Sequence, residues 1–335
     1  MSEPPIAVRV DKEQCQLLGQ VLRSYAFKEN FYKRPFLTAE LPEELKLRMY
    51  LFSVGICHQT WNLAHQAANL YGWDYLEDGF LRMFEEKSWL TDTFRVAEAS
   101  SQTIAEALAS YFVPFGSSVS TLDRLEERAS LYRDMAEKLV TSYKGQVSCL
   151  LQESQGRVGG MGGLYSLLSA FEAYSDPLHK KSSFLVKLLA DAGLWQVQDP
   201  ENLVPVMDYH MQRVLLRSGA VEVVDPELRN ALINRWELTD DTRVRKACIE
   251  ASSCMAEAAG LGVLQMNDVL YMLGRSCCFE EPLCRSGRCA KNPCSLVRTL
   301  EIADHTQCIF SGVCRGSVSE EYINLWNPVV KTHYY

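Results

Sequence analysis

The sequence predicts an all-α protein, and three observations carry that expectation. Apolar residues recur at three- and four-residue spacing through most of the chain, the period of a helix with one buried face. Period-2 runs are nearly absent, Ala220–Val224 being the best of them. Hydrophobic residues make up 47% of the chain and charged residues 23%, enough apolar mass for a real core.

Taken in order, Glu44–Cys57 and Trp61–Tyr71 carry the helical spacing. Thr121–Thr141 places Leu122, Leu125, Leu131, Met135 and Leu139 on about one face and charges elsewhere, the pattern of an amphipathic surface helix. Gln155–Gly163 then breaks the periodicity with five glycines in nine residues. It reads as a flexible linker or hinge. A phosphate cradle is the other reading, but the Lys-Ser/Thr of a P-loop is missing.

Asp176-Pro177 looks like an N-cap followed by proline at the first helical position. The helix would run on with Phe184, Leu185, Leu188 and Leu189 buried, and stop at Gly193. Past Asp199-Pro200 and Pro205, a second helix starts near Asp208 and stops at Gly219. Further helices are expected over Asp241–Ala259 and Asn267–Leu273. The expected division is an N-terminal helical lobe over 1–155, a core over 164–273, and a cysteine-rich metal-binding segment over 274–335.

Lys and Arg number 34 and Asp and Glu 42, so the net charge is 34 − 42 = −8. That weighs mildly against a nucleic-acid partner, because phosphate contacts need positive charge, although it leaves room for a local basic groove. Met1–Lys12 lacks the charged-then-apolar pattern of a leader, and no run of about eighteen apolar residues is present. The expectation is a cytoplasmic protein with no membrane partner. In a reducing compartment crowded cysteines more often bind metal than form disulfides. Of twelve cysteines, seven fall between Cys277 and Cys314.

The segment DPLHKKSSFLVKLLADAGLW followed by DPENLVPVMDYHMQRVLLRSG resembles two related groups of the helix-hairpin-helix DNA glycosylase superfamily. These are the archaeal 8-oxoguanine DNA glycosylases and the queuosine-salvage N-glycosidases, which act on a free nucleotide. The resemblance spans Asp176 to Gly219. It implies a two-lobed helix-hairpin-helix glycosylase-like fold, with a lysine opening one helix and an aspartate opening a later one. Those positions are filled here by Lys181, or its neighbour Lys180, and by Asp208 in Met207-Asp208-Tyr209. The G-x-G hairpin of ordinary members is absent, as it is in both named groups. The gap from Lys181 to Asp208 is 208 − 181 = 27 positions, a little short for them.

The chemistry needs such residues. Breaking an N-glycosidic bond builds positive charge on the sugar, and a fixed carboxylate stabilises it and can orient an attacking water or amine. The dipole of a helix N-terminus keeps Asp208 ionised. A desolvated lysine can attack the sugar carbon and form a Schiff base, because burial lowers its pKa. His210 could assist a proton transfer. Each residue also has a plain structural reading: an aspartate before an apolar helix caps it, and lysines in a first turn face water.

The run from Gly274-Arg275-Ser276-Cys277-Cys278 through Cys284 and Cys289 to Cys294 resembles the iron–sulfur loop of endonuclease III-type glycosylases. Four thiolates, Cys278, Cys284, Cys289 and Cys294, would hold one [4Fe–4S] cluster or, alternatively, one zinc ion. The spacing C278-x5-C284-x4-C289-x4-C294 differs from that family's middle spacings. Cys308 and Cys314, with His305 nearby, could replace a ligand or build a second site. Arg285, Arg288 and Lys291 make the loop basic and suited to backbone phosphate.

Gln59 and Trp61, with Trp73 and Asp74, place aromatic rings beside amide and acidic groups, as a base pocket requires. The same aromatics serve as core in the plain reading. The expected function is therefore N-glycosidic bond cleavage, on DNA bearing a modified or damaged base, with lyase activity through Lys181 as a further expectation. The alternatives are cleavage of a free modified nucleotide, or a non-catalytic helical module that binds nucleic acid or protein.

Overall fold

The computed structural model describes residues 7–28, 33–303 and 305–335; Met1–Ile6 lies outside them. Helix accounts for 55% and strand for 4%, so the chain is all-α as its periodicity predicts. No single helix among the described residues is long and apolar enough to cross a membrane.

The chain divides into two compact units, Met1–Phe31 with Val204–Lys331, and Tyr32–Leu203 with Thr332–Tyr335. This differs from the expected division at the glycine-rich segment. The N-terminus belongs with the cysteine-rich half because two local contacts bind it there. β1 (Val8–Val10) pairs antiparallel with Val221–Val223, in the register Val8↔Val223 and Val10↔Val221. α1 (Lys12–Leu22), capped by Asp11, packs Leu18 and Leu22 into the core of that unit. Gly19 lets it come close: a Cβ there would stand 2.6 Å from the Met255 carbonyl oxygen.

In the other unit α2 (Glu43–Gly55) buries Leu47, Leu51, Phe52 and Val54. The segment Trp61–Tyr71, expected to be helical, instead forms a short hairpin of β2 (Ala64–His65) and β3 (Leu70–Tyr71). The turn chemistry overrides the apolar spacing there. His65 accepts the Ala68 N–H, and Asn69 adopts the left-handed conformation at φ 54°. α3 (Trp73–Glu85) follows, and α4 (Leu125–Tyr143) carries Leu131, Met135 and Leu139 on its buried face.

The glycine-rich segment is a turn within this unit. Its Val158 and Gly159 N–H groups donate to the Asp199 carboxylate at 2.7 and 2.9 Å. α5 (Lys180–Asp191) starts three residues later than Asp176-Pro177 predicts, because His179 is left-handed. Asp176 still accepts the Lys180 N–H at 2.9 Å.

Back in the first unit, α6 (Tyr209–Ser218) has Asp208 as N-cap and Gly219 as its left-handed stop, as expected. β4 (Val221–Val223) follows, then α7 (Thr242–Ala259) and α8 (Val263–Met272). The chain leaves α8 through a wide turn, Leu273–Cys277, and enters the cysteine-rich segment, where α9 (Leu283–Ser286) is a single turn.

Candidate functional site

Among the described residues, three clusters hold chemistry-bearing side chains, two in the first unit and one in the second. The first centres on Asp208. Its carboxylate accepts the Met211 N–H at 3.0 Å, and the residue is 8% exposed. Tyr209 and His210 continue the turn, with ring centroids 4.4 Å apart, and His210 meets the Tyr271 ring edge-on at 5.5 Å. Burial holds His210 well below the usual histidine range, and Arg213 and Arg275 push the same way. Gly274 permits the approach of the wide turn: a Cβ there would lie 2.4 Å from the His210 carbonyl oxygen.

Arg213 ties this turn to the cysteine-rich segment. It donates to the carbonyls of Cys278 at 2.9 Å and Gly274 at 2.7 Å, and to Asn327 at 2.7 Å. Its Nη2, the nitrogen that donates to Gly274, also lies 3.1 Å from His210 Nδ1. The Trp326 ring sits 4.4 Å from its guanidinium. Desolvation lowers Arg213 to about 10, an unusual value that Asp208 and Tyr209 partly offset.

The second cluster is a metal-ready group. Cys277, Cys289, Cys294 and His305 bring one ligand atom each within 4.8 Å of all the others. The Cys277 sulfur lies 3.4 Å from Cys294 and 3.5 Å from Cys289. His305 Nε2 stands 3.4, 3.7 and 3.9 Å from Cys294, Cys277 and Cys289. His305 Nδ1 donates to the Gln307 carbonyl at 2.8 Å, which leaves Nε2 facing the sulfurs. Ser276 donates to Cys294 at 3.4 Å, and hydrogen bonds from Cys277 and Ser276 lower the Cys294 thiol.

Of the four cysteines expected as ligands, Cys289 and Cys294 join this group, and Cys278 and Cys284 stand outside it. Cys277 and His305 take their places. The signal for His305 was its position as the histidine nearest the cysteine run. Nothing in the spacing separates Cys277 from its neighbour Cys278.

The third cluster, in the second unit, surrounds Lys181. The side chain is fully buried on α5 and donates to the Gly55 carbonyl. Its Nζ is 3.5 Å from His58 Nδ1. His58 Nε2 lies 3.1 Å from Glu127 Oε1, without the alignment of a hydrogen bond. Desolvation lowers the Lys181 ammonium to about 7. Burial likewise depresses His58, with Lys181 and Arg128 adding to it. Lys180 differs from its neighbour: it points to Cys57 Sγ at 3.5 Å and lies over the Phe184 ring at 5.2 Å. His58 escaped the sequence reading, since one histidine beside apolar residues carries no pattern.

The expected base-pocket residues all lie in this second unit. Gln59 is buried in a left-handed conformation and accepts from Arg124 at 2.5 Å. Trp61 is 59% exposed. Trp73 donates to Glu77 at 2.7 Å and packs its ring against Phe184, centroids 4.6 Å apart. Asp74 sits in the first turn of α3. Among these contacts Gln59 and Trp73 have structural partners, so neither is held aside for a ligand.

Comparison of the chain with protein-family models gave no match, and a search of curated protein sequences likewise gave none.

Proposed function

We propose that this protein cleaves an N-glycosidic bond, with Asp208 as the carboxylate that stabilises the sugar's developing positive charge. The observation that carries the reading is the fixation of Asp208: a nearly buried carboxylate at a helix N-terminus, anchored through the Met211 N–H. The positive end of the α6 dipole favours the charged form. Tyr209, His210 and Tyr271 supply rings beside it, the surface on which a base stacks. The substrate class that fits best is DNA bearing a modified base, with a free modified nucleotide as the alternative.

Lys181 has the property an amine nucleophile needs, a substantial neutral fraction near pH 7. Lys181 belongs to the other unit and is fully buried against the Gly55 carbonyl, so its role as an amine nucleophile in lyase activity is a separate proposal, tested apart from Asp208.

The metal in this reading is a single zinc ion at Cys277, Cys289, Cys294 and His305. With Zn–S near about 2.3 Å and Zn–N near about 2.0 Å, a tetrahedral ion sets its ligands roughly 3.5–3.8 Å apart. Five of the six separations, at 3.4–3.9 Å, fit that size, and all six lie within 4.8 Å. A [4Fe–4S] cluster places four irons between its thiolates and needs a wider cage. The ion's contribution is to staple a loop too polar to build its own core.

Base release read by mass spectrometry tests the activity. The anaerobically purified protein is offered a pool of DNAs bearing modified bases and, separately, a pool of modified nucleoside monophosphates. Release from DNA supports the first substrate class, and release from nucleotides alone moves the protein to salvage. No release from either pool removes the glycosidase reading. Borohydride trapping of a protein–DNA adduct, lost in Lys181→Met, tests the lyase step.

A further inference from the structure

We propose that Arg213 is a positioning residue that joins the Cys3His centre to the first turn of α6, so that loading or emptying the centre tightens or loosens the turn that Asp208 caps. The inference rests on the reading of Asp208 as the reacting carboxylate, and it is tested by measurements that do not depend on catalysis.

The spacing puts the parts on one stripe of the helix. His210, Arg213 and Arg217 stand at i, i+3 and i+7 of α6, and residues so spaced share a face. That face meets the segment from Gly274 to Phe279, which carries the ligand Cys277 between them.

Every nitrogen of the Arg213 guanidinium is engaged there. Nε donates to the Cys278 carbonyl at 2.9 Å and Nη2 to the Gly274 carbonyl at 2.7 Å, so the fork spans the chain on both sides of Cys277. Nη2 also lies 3.1 Å from His210 Nδ1, and Nη1 donates to Asn327 at 2.7 Å. The rings of Trp326 and Phe279 stand 4.4 and 5.2 Å from the guanidinium carbon. A buried side chain held on every nitrogen moves only with its partners.

Contacts continue from both ends of this frame. On the metal side, the Cys277 sulfur lies 3.4 Å from Cys294 and 3.5 Å from Cys289. On the α6 side, the Gly274 backbone is packed against the His210 carbonyl, too closely for a side chain. Two amides of the same turn close on Asp208: the Met211 N–H on its carboxylate and the Gln212 N–H on its carbonyl, both at 3.0 Å. A continuous run of bonded and packed atoms thus leads from a metal ligand to the Asp208 cap, with Arg213 at its middle.

Charge favours the same coupling. A zinc ion with three thiolates and a neutral imidazole leaves one net negative charge on the centre, whereas the empty site carries neutral thiols. A guanidinium fixed against the carbonyls beside Cys277 is therefore better placed with the centre loaded than empty. Linkage makes the effect mutual: losing Arg213 weakens zinc retention. Arg217 supplies the contrast. It clasps the Phe279 carbonyl at 2.5 Å and the Leu325 carbonyl at 2.9 Å, one helical turn further from Asp208.

Hydrogen exchange on the full chain, read at single amides by mass spectrometry, tests this, with the Met211 and Gln212 amides reporting on the cap. Wild type, Arg213→Gln and Arg217→Gln are each compared zinc-loaded and after stripping with a chelator. Stripping wild type is expected to speed exchange at both amides by about tenfold or more. In Arg213→Gln these amides are expected to exchange fast with zinc still bound, and stripping should then add less than about threefold. That variant should also give up zinc to a chromogenic chelator about tenfold more readily. Arg217→Gln should keep the wild-type exchange rate and the wild-type response to stripping. Where Arg213→Gln does not hold zinc, Arg213→Lys, which keeps the charge and loses the fork, takes its place. The proposal is overturned by wild type that binds no zinc or shows no response to stripping. An equal response in wild type and the Arg213 variant, or the same change in Arg217→Gln, overturns it too. Failure of the glycosidase reading shows separately, as no base release with the exchange pattern intact.

Discussion

Asp208 and Met211 are joined by a 3.0 Å hydrogen bond from the Met211 N–H to the Asp208 carboxylate, so one side chain is both helix cap and catalytic candidate. The two roles are separable by substitution. Asparagine also caps helices, whereas alanine does not. Asp208→Ala is expected to lose about 1 kcal/mol of stability, and Asp208→Asn a few tenths, by thermal or denaturant unfolding. Equal losses in the two variants would remove the cap as the structural role of this residue.

Lys181 makes a pH-dependent contribution whose sign follows from its lowered value of about 7. The unfolded side chain titrates at about 10.4. Below pH 7 it is charged in both states, and its burial costs stability in full. Between pH 7 and about 10.4 the unfolded chain binds more protons than the folded one, so stability from this group rises with pH and the cost disappears. Lys181→Met is therefore expected to be more stable than wild type at pH 6, by a few kcal/mol at most. The difference should shrink steadily toward pH 10. Urea unfolding of both proteins across that range reads it, and a difference that grows with pH contradicts the buried-amine account.

The metal-ready group predicts a specific dependence. Cys294→Ser, or stripping with a strong chelator, is expected to lower stability by about 3 kcal/mol or more, roughly 6–12 °C in Tm. Cys149→Ser, outside the segment and partly exposed, should leave Tm within a degree or two. Calorimetry with and without added zinc checks both.

Gly274 and Gly19 are two of the places where backbones approach too closely for a side chain. At each, an alanine Cβ meets a carbonyl oxygen at 2.4 or 2.6 Å. Overpacking of that kind costs about 1–3 kcal/mol. Gly274→Ala carries an additional expectation, since its clash is with His210, two residues from Asp208. It should reduce base release beyond what its stability loss explains, while Gly19→Ala should change stability alone.

The parts of the fold readable from sequence were those set by local chemistry. Asp208 and Gly219 bound α6 because a carboxylate cap and a left-handed glycine are short-range signals. Val221–Val223 showed itself by alternation, although its partner, Val8–Val10, lies some two hundred residues away and left no trace. The hairpin at Ala64–Tyr71 was misread as helix, since apolar spacing alone cannot show that His65 and Asn69 turn the chain. The metal-ready group was half legible. Cysteine density located it, but whether Cys277 or Cys278 faces the others depends on the wide turn at Leu273–Cys277, which a spacing rule does not see. His58 and Lys181 are brought together by α2 and α5 packing, a long-range event with no linear motif.

The most direct test of the central claim is the single-turnover rate of base release by wild type and Asp208→Asn on the substrate identified from the pools. With asparagine keeping the cap, the account predicts a folded variant whose unfolding transition is within about 1 kcal/mol of wild type and whose rate is lower by about 10²-fold or more. A folded Asp208→Asn protein that releases base at the wild-type rate would contradict the assignment and leave Asp208 as a helix cap.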